Sequence, residues 1–171
     1  MVLKIKIAGI ERNSVVDGPG LRTVIFAQGC PHNCPGCHNP GAIDPEGGQW
    51  RELDELAVEV CRDGPGGITF SGGEPFLQAR EFAALADILK KNRRSIVVFS
   101  GYTYEELTKK TGSDPAVAAL LDAGDILIDG PYRQEQRDLS LAFRGSRNQR
   151  VIDMGKSRAS GEVILSDLHF R

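Results

Sequence analysis

The sequence predicts an α/β fold, a partial (βα) barrel with a mostly parallel sheet in a single domain. Short runs rich in β-branched and aromatic residues alternate with helical patterns, which is the signature of βα units. About five such strands are recognisable, too few to close an eight-stranded barrel. No repeat, low-complexity tract or linker divides the 171 residues, so residues 1–171 are expected to share one core.

Leu3, Ile5 and Ile7 alternate with lysines, a strand pattern and not the apolar block of a signal peptide. Thr23–Ala27 is the next strand, and it leads into a cysteine cluster. Leu53, Leu56, Ala57, Val60 and Cys61 fall on one helical face. Ile68–Phe70 is a short buried strand, followed by a helix carrying Phe82, Leu85, Ala86 and Leu89. After the strand Ile96–Phe99, Thr103 and Glu106 have the spacing of a capping box. Asp114-Pro115 opens a helix through Val117, Leu120 and Leu121, with Pro at its first position. Ile126–Ile128 and Val151–Ile152 complete the strands.

A formal charge of −2 gives no general reason to expect nucleic acid or an anionic membrane as partner. No run approaches the roughly 18 apolar residues that span a bilayer. A cytoplasmic protein is expected, in which clustered thiols serve metal or catalysis rather than disulfides. Every unusual segment follows a strand: the cysteines, Ser71-Gly-Gly-Glu-Pro75, Ser100-Gly-Tyr102 and Asp129-Gly-Pro131. In a parallel sheet those ends share one edge, where active sites collect.

Cys30, Cys34 and Cys37 place three thiols within eight residues. A [4Fe–4S] cube commonly takes four thiolates, so three would leave one iron open to a ligand. Zinc is the alternative, with His32 or His38 as fourth ligand, although the paired knuckles of a zinc ribbon are missing. Cys61, on the apolar face of its helix, reads as core packing.

Cys-x3-Cys-x2-Cys after one strand, with Gly72-Gly73-Glu74-Pro75 after the next, resembles the radical S-adenosylmethionine (SAM) superfamily. The resemblance implies that Cys30, Cys34 and Cys37 hold the cluster and that its open iron chelates SAM through the amino and carboxylate groups. It also implies that Gly72, Gly73 and Glu74 line the methionine moiety. Glycines permit close backbone approach, and a carboxylate accepts hydrogen bonds from an ammonium. Many members carry an aromatic residue where Gly36 stands here, so adenine contact is assigned to the backbone around Gly36, Cys37 and His38 or to the His38 ring. Asp129 is a further SAM candidate, with a loop cap as the other reading.

Val16-Asp-Gly-Pro-Gly-Leu-Arg-Thr23 resembles the segment before the cluster in glycyl-radical-enzyme activases. Asp129–Tyr132 and Arg137–Arg150 resemble the activating proteins of anaerobic (class III) ribonucleoside-triphosphate reductases. This implies reductive cleavage of SAM to a 5′-deoxyadenosyl radical, which takes a hydrogen atom from a glycine of the partner enzyme. No side chain is then needed as general acid or base. Asp17 is placed near the partner's glycine loop, or else serves as a turn former. From Arg133 to Arg158 there are seven Lys or Arg against three acids, which marks Arg144 and Arg147 as docking candidates. A one-electron donor such as flavodoxin or ferredoxin is implied too. The rival readings are activation of another glycyl radical enzyme, a small-molecule enzyme resembling 7-carboxy-7-deazaguanine synthase, or a zinc or electron-transfer module.

Overall fold

The computed structural model describes residues 1–171, the side chain of Asp63 excepted. Seven strands form one sheet: β1 (Lys4–Ser14), β2 (Arg22–Ala27), β3 (Gln49–Glu52), β4 (Gly67–Gly72), β5 (Ser95–Phe99), β6 (Ile126–Asp129) and β7 (Arg150–Asp153). Their order is β3-β1-β2-β4-β5-β6-β7. The central strands β2, β4, β5 and β6 run parallel, while β1, β3 and β7 join antiparallel at the two sides. The parallel sheet read from the sequence is therefore the middle of a wider one.

Five helices follow: α1 (Leu53–Asp63), α2 (Ala79–Lys91), α3 (Tyr104–Thr111), α4 (Pro115–Ala123) and α5 (Met154–Ser160). All five pack apolar residues into one cluster, among them Leu56, Phe82, Leu107, Leu120 and Met154. The sheet meets them with Ile25, Ile68, Phe70, Ile96, Val98, Leu127 and Ile152. The intervening residues point to the opposite face, as the two-residue period of a strand requires. There Val97, Ile128 and Val151 form a second, small cluster joined by Phe99 and Phe143. Helices thus cover one face only, and the other is left for a site. Cys61 packs against the main core, as its helical face predicts.

Local signals start the helices where the sequence places them. Thr103 and Glu106 cap each other's backbone N–H groups at the start of α3. Asp114 accepts from Ala116 N, with Pro115 at the first helical position of α4. β3 and α5 were not anticipated. β3 is a four-residue edge strand with Gln49 and Trp50 exposed and Arg51 and Glu52 half-buried, and α5 is seven residues without a repeating apolar face.

Arg22 closes the N-terminal end of the parallel strands. It is 2% exposed, and its guanidinium donates to the carbonyls of Pro19, Ile68 and Ser95 and to the hydroxyls of Thr69 and Ser95. Burial pushes it down to about 10, opposed by the charge of Asp125. The bond to Pro19 O, together with Thr69 Oγ1 donating to Asp17 O, holds the Asp17–Gly20 loop against the sheet. Arg22→Met strands several buried acceptors and should lower the unfolding free energy of the metal-free protein by about 3 kcal/mol. Urea unfolding tests this; the midpoint should fall with little change in slope.

Candidate active site

The parallel strands β2, β4, β5 and β6 end at Ala27, Gly72, Phe99 and Asp129, along one edge of the sheet. At that edge the helix-free face opens into a cavity of about 770 Å³, within the usual range for small-molecule sites. Cys30, Cys34, Cys37, His38, Gly72, Gly73 and Asp17 all line it, although they come from three separate segments of the chain.

The cysteine loop is pinned where it leaves β2. Gly29 N donates to Ala42 O at 2.8 Å and Cys30 N to Ile43 O at 3.0 Å. Gln28 adds side-chain bonds to the carbonyls of Gly41 and Asp44. The turn after β4 locks to the same place, Gly73 N donating to Ala27 O and Glu74 N to Gly29 O, both at 2.8 Å. A Cβ on Gly73 would lie 2.3 Å from Gly29 O, and one on Gly72, whose φ is +92°, would lie 2.7 Å from the Phe26 backbone. Both positions thus require glycine because of the chain's own backbone, before any ligand is considered.

The three thiols are half-buried and free of disulfides. Burial pushes the Cys30 thiol up, against the lowering effect of the His32 and Asn33 N–H groups; Glu74 and Cys34 also raise it. Asn39 N donates to Cys37 Sγ at 3.4 Å. Among the described residues no three His, Cys, Asp or Glu side chains gather as they would around one metal ion. A four-iron cube needs no such gathering, because each thiolate holds a different iron. The three free thiols of Cys30, Cys34 and Cys37 on one open cavity therefore fit such a cluster by donor type and number.

Other predicted residues lie elsewhere. Glu74 is fully buried and does not line the cavity. Its oxygens accept from Phe76 N at 3.0 Å, Gly101 N at 2.8 Å and Ser100 Oγ at 3.0 Å, and meet His32 Nε2 at 2.6 Å. This corrects the expectation of a carboxylate waiting for an ammonium. Asp129 is 1% exposed; it accepts from Tyr104 N at 2.7 Å and from Arg150 Nε and Nη2 at 3.0 and 2.5 Å. Its charge joins β6 to α3 and β7 rather than facing the cavity. Gly36, with φ +74°, forms a turn on the outer side of the cysteine loop beside Gln134. Asp17 stays on the cavity wall, held by Ser14 Oγ at 2.5 Å and, through its carbonyl, by Thr69 Oγ1 at 2.7 Å.

Arg144 is a second correction. It is 7% exposed rather than free on the surface, and donates to His169 Nδ1 at 2.8 Å and His169 O at 2.6 Å. It braces a cavity wall, residues 139–145, in which Phe143 is held at φ +62°. Arg147 is exposed, as docking requires. Sequence reasoning gave no role to Ser100 or Phe143 and saw His32 only as a zinc ligand. Tyr132, whose ring lies 4.8 Å from that of His38, fell within the segment singled out before Arg137.

An iron–sulfur protein whose cluster keeps an open side toward a cofactor cavity is the class that this fold and this donor set define. The family of 4Fe-4S single cluster domains matches residues 16–152. The anaerobic ribonucleoside-triphosphate reductase-activating protein of Vibrio cholerae is 34% identical over 144 residues, covering 79% of this chain and 89% of that one. The pyruvate formate-lyase-activating enzyme of Clostridium pasteurianum is 42% identical over 138 residues, 73% of this chain but 55% of that protein. The crystal structure of QueE from Escherichia coli superposes with a TM-score of 0.49 at 19% identity, over 58% of this chain and 53% of that one. The chain belongs to the family of radical SAM activases, enzymes that carry a [4Fe–4S] cluster, use SAM and act on a glycyl radical enzyme. Among the described residues no helix is long and apolar enough to cross a membrane.

Two outcomes follow from the packing. Gly73→Ala should destabilise the metal-free protein by at least about 2 kcal/mol, seen as a lower thermal midpoint before iron or SAM is added. His169 is held low, first by burial and then by the charges of Arg144 and Arg150. Its contribution to stability is complete above the unfolded value of about 6.5 and declines as pH falls from there toward the lowered folded value. His169→Asn should remove this component, so its stability relative to wild type should rise as pH drops from 7 to 5 in urea titrations.

Proposed function

We propose that this chain activates an anaerobic ribonucleoside-triphosphate reductase by placing a glycyl radical on it. The observation that carries the reading is the convergence of three thiols, the Gly72–Gly73 turn and the Asp17 loop on one open cavity. The names and near-complete coverage of relatives such as the Vibrio cholerae protein support the choice of partner. When bound, the cluster and SAM together supply a carbon radical able to take hydrogen from a glycine Cα.

The chain's own residues bind, orient and shield. Cys30, Cys34 and Cys37 hold the cluster, and the backbone of Gly72 and Gly73 allows the methionine end of SAM to approach closely. Cys37 and His38 lie where adenine contacts are proposed, the His38 ring steadied by Tyr132. Glu74 acts from behind the wall by fixing its loops, and Asp129 by fixing β6 to β7. Asp17, with the exposed Val15 and Val16 on the same rim, faces the incoming glycine loop. Arg147 belongs to the docking surface, whereas Arg144 does not. Residues 1–171 act as one domain, a flavodoxin or ferredoxin supplies the electron, and the cytoplasm is the setting. No side chain acts as general acid or base, because the cofactors carry the hard chemistry. Activation of a formate-lyase-type partner is the second reading, favoured by the 42% identity to the Clostridium pasteurianum enzyme.

Anaerobic reconstitution should load about four irons per chain. Changing Cys30, Cys34 or Cys37 to Ala should abolish stable loading, while Cys61→Ala leaves it unchanged. Mixed with SAM, reductant and a class III reductase, the loaded protein should produce a glycyl radical signal in electron paramagnetic resonance. No signal there, but one with a formate-lyase-type enzyme, would move the assignment to the second reading.

A further inference from the structure

Glu74 is where three strand-end loops meet. A carboxylate offers about four acceptor positions. Four donors fill them: Phe76 N from its own loop, Ser100 Oγ and Gly101 N from the loop after β5, and His32 Nε2 from the cysteine loop. The His32 ring is itself fixed in place. The Tyr102 ring packs edge-on at 4.4 Å and 75°, and Gly101 lies so close that a Cβ there would sit 2.3 Å from the imidazole.

The cysteine loop depends on this contact. Its base is pinned through Gly29 and Cys30, and its far end carries the Asn39 contact to Cys37. Between them, residues 31–36 include Cys34. Among the described residues, the His32–Glu74 contact is the one hydrogen bond that ties this stretch to the strand-end loops. Both oxygens of Glu74 also take backbone N–H groups, so the carboxylate accepts and Nε2 carries the hydrogen.

We propose that His32 is a positioning residue: through Glu74 it seats the Cys34 side of the cysteine loop against the loops after β4 and β5, and so sets how SAM meets the cluster. This rests on reading the cavity as the cluster and SAM site, and it gives the glutamate after the two glycines an indirect role. The His32 ring also lies on the cavity wall, and the role proposed for it runs through the loop it holds.

The test compares wild type, His32→Gln, which keeps a donor at the Nε2 position, and His32→Leu, which does not. Each is reconstituted with iron, its iron content is measured, and SAM is titrated while the spectrum of the reduced cluster is followed. All three should load about four irons. His32→Leu should bind SAM at least about tenfold more weakly, with an altered SAM-induced spectral change, and His32→Gln should stay within about threefold of wild type. Glu74→Gln should weaken SAM binding similarly, and the His32→Leu, Glu74→Gln double variant should be no worse than either, as expected for one shared contact. Wild-type binding by His32→Leu, or equal losses in His32→Leu and His32→Gln, overturns the inference. If His32→Leu does not hold iron, Glu74→Gln carries the test, and unaltered SAM binding there overturns it. A wild-type protein that loads iron but shows no response to SAM overturns the reading of the cavity instead.

Discussion

The close approach of two backbones beyond the ends of β2 and β4 organises everything around the cavity. Gly73 lies among the carbonyl oxygens of Ala27, Gly29 and Ala42, with no space for a side-chain carbon. That contact lets Gly73 N and Glu74 N bond the strand that carries the cysteines. The cysteine loop and the glycine turn are thereby built as one piece, and the thiols inherit their position from it. Because β2 and β4 are parallel and adjacent, the two loops emerge on the same edge without any further device.

Around this junction the charged residues work inside the scaffold. Glu74 joins three loops, Asp129 and Arg150 tie β6 to β7, Arg22 seals the opposite strand ends, and Arg144 clasps the segment at His169. Each of these four joints bridges segments far apart in sequence. A buried charge is tolerated where its hydrogen bonds are complete, and each of these has several partners. The cavity between them is lined by the thiols, glycine backbone, Asp17, His32, His38 and aromatic or aliphatic side chains. Such a lining suits a site where bound cofactors react and the protein positions them and limits access of water.

Several elements were legible because one local signal decides each of them. Alternation marks β1, short β-branched and aromatic runs mark β2, β4 and β5, helical spacing marks α1, α2 and α4, and the capping box marks α3. The short β3 and the seven-residue α5 carry no such signal, because pairing along β1 and packing beside β7 create them. The cysteine trio and the Gly-Gly pair could be read because their function lies in spacing and in lost side chains. Arg144 shows the opposite case: an arginine in a basic run looks the same in sequence whether it faces solvent or is buried under the chain.

The sequence by itself determined the fold class, the three thiols and the glycine turn, since these follow from periodicity and short-range spacing. It also determined that the unusual segments share one edge, because strands joined by helices run parallel. Only the tertiary structure decided which polar residues face the cavity and which hold it together. Glu74 and Asp129 both stand at strand ends and look alike as candidates. Their partners, His32 and Arg150, are 42 and 21 residues away. A carboxylate takes its role from the donors that folding brings to it, and donors that distant in sequence are chosen by packing alone.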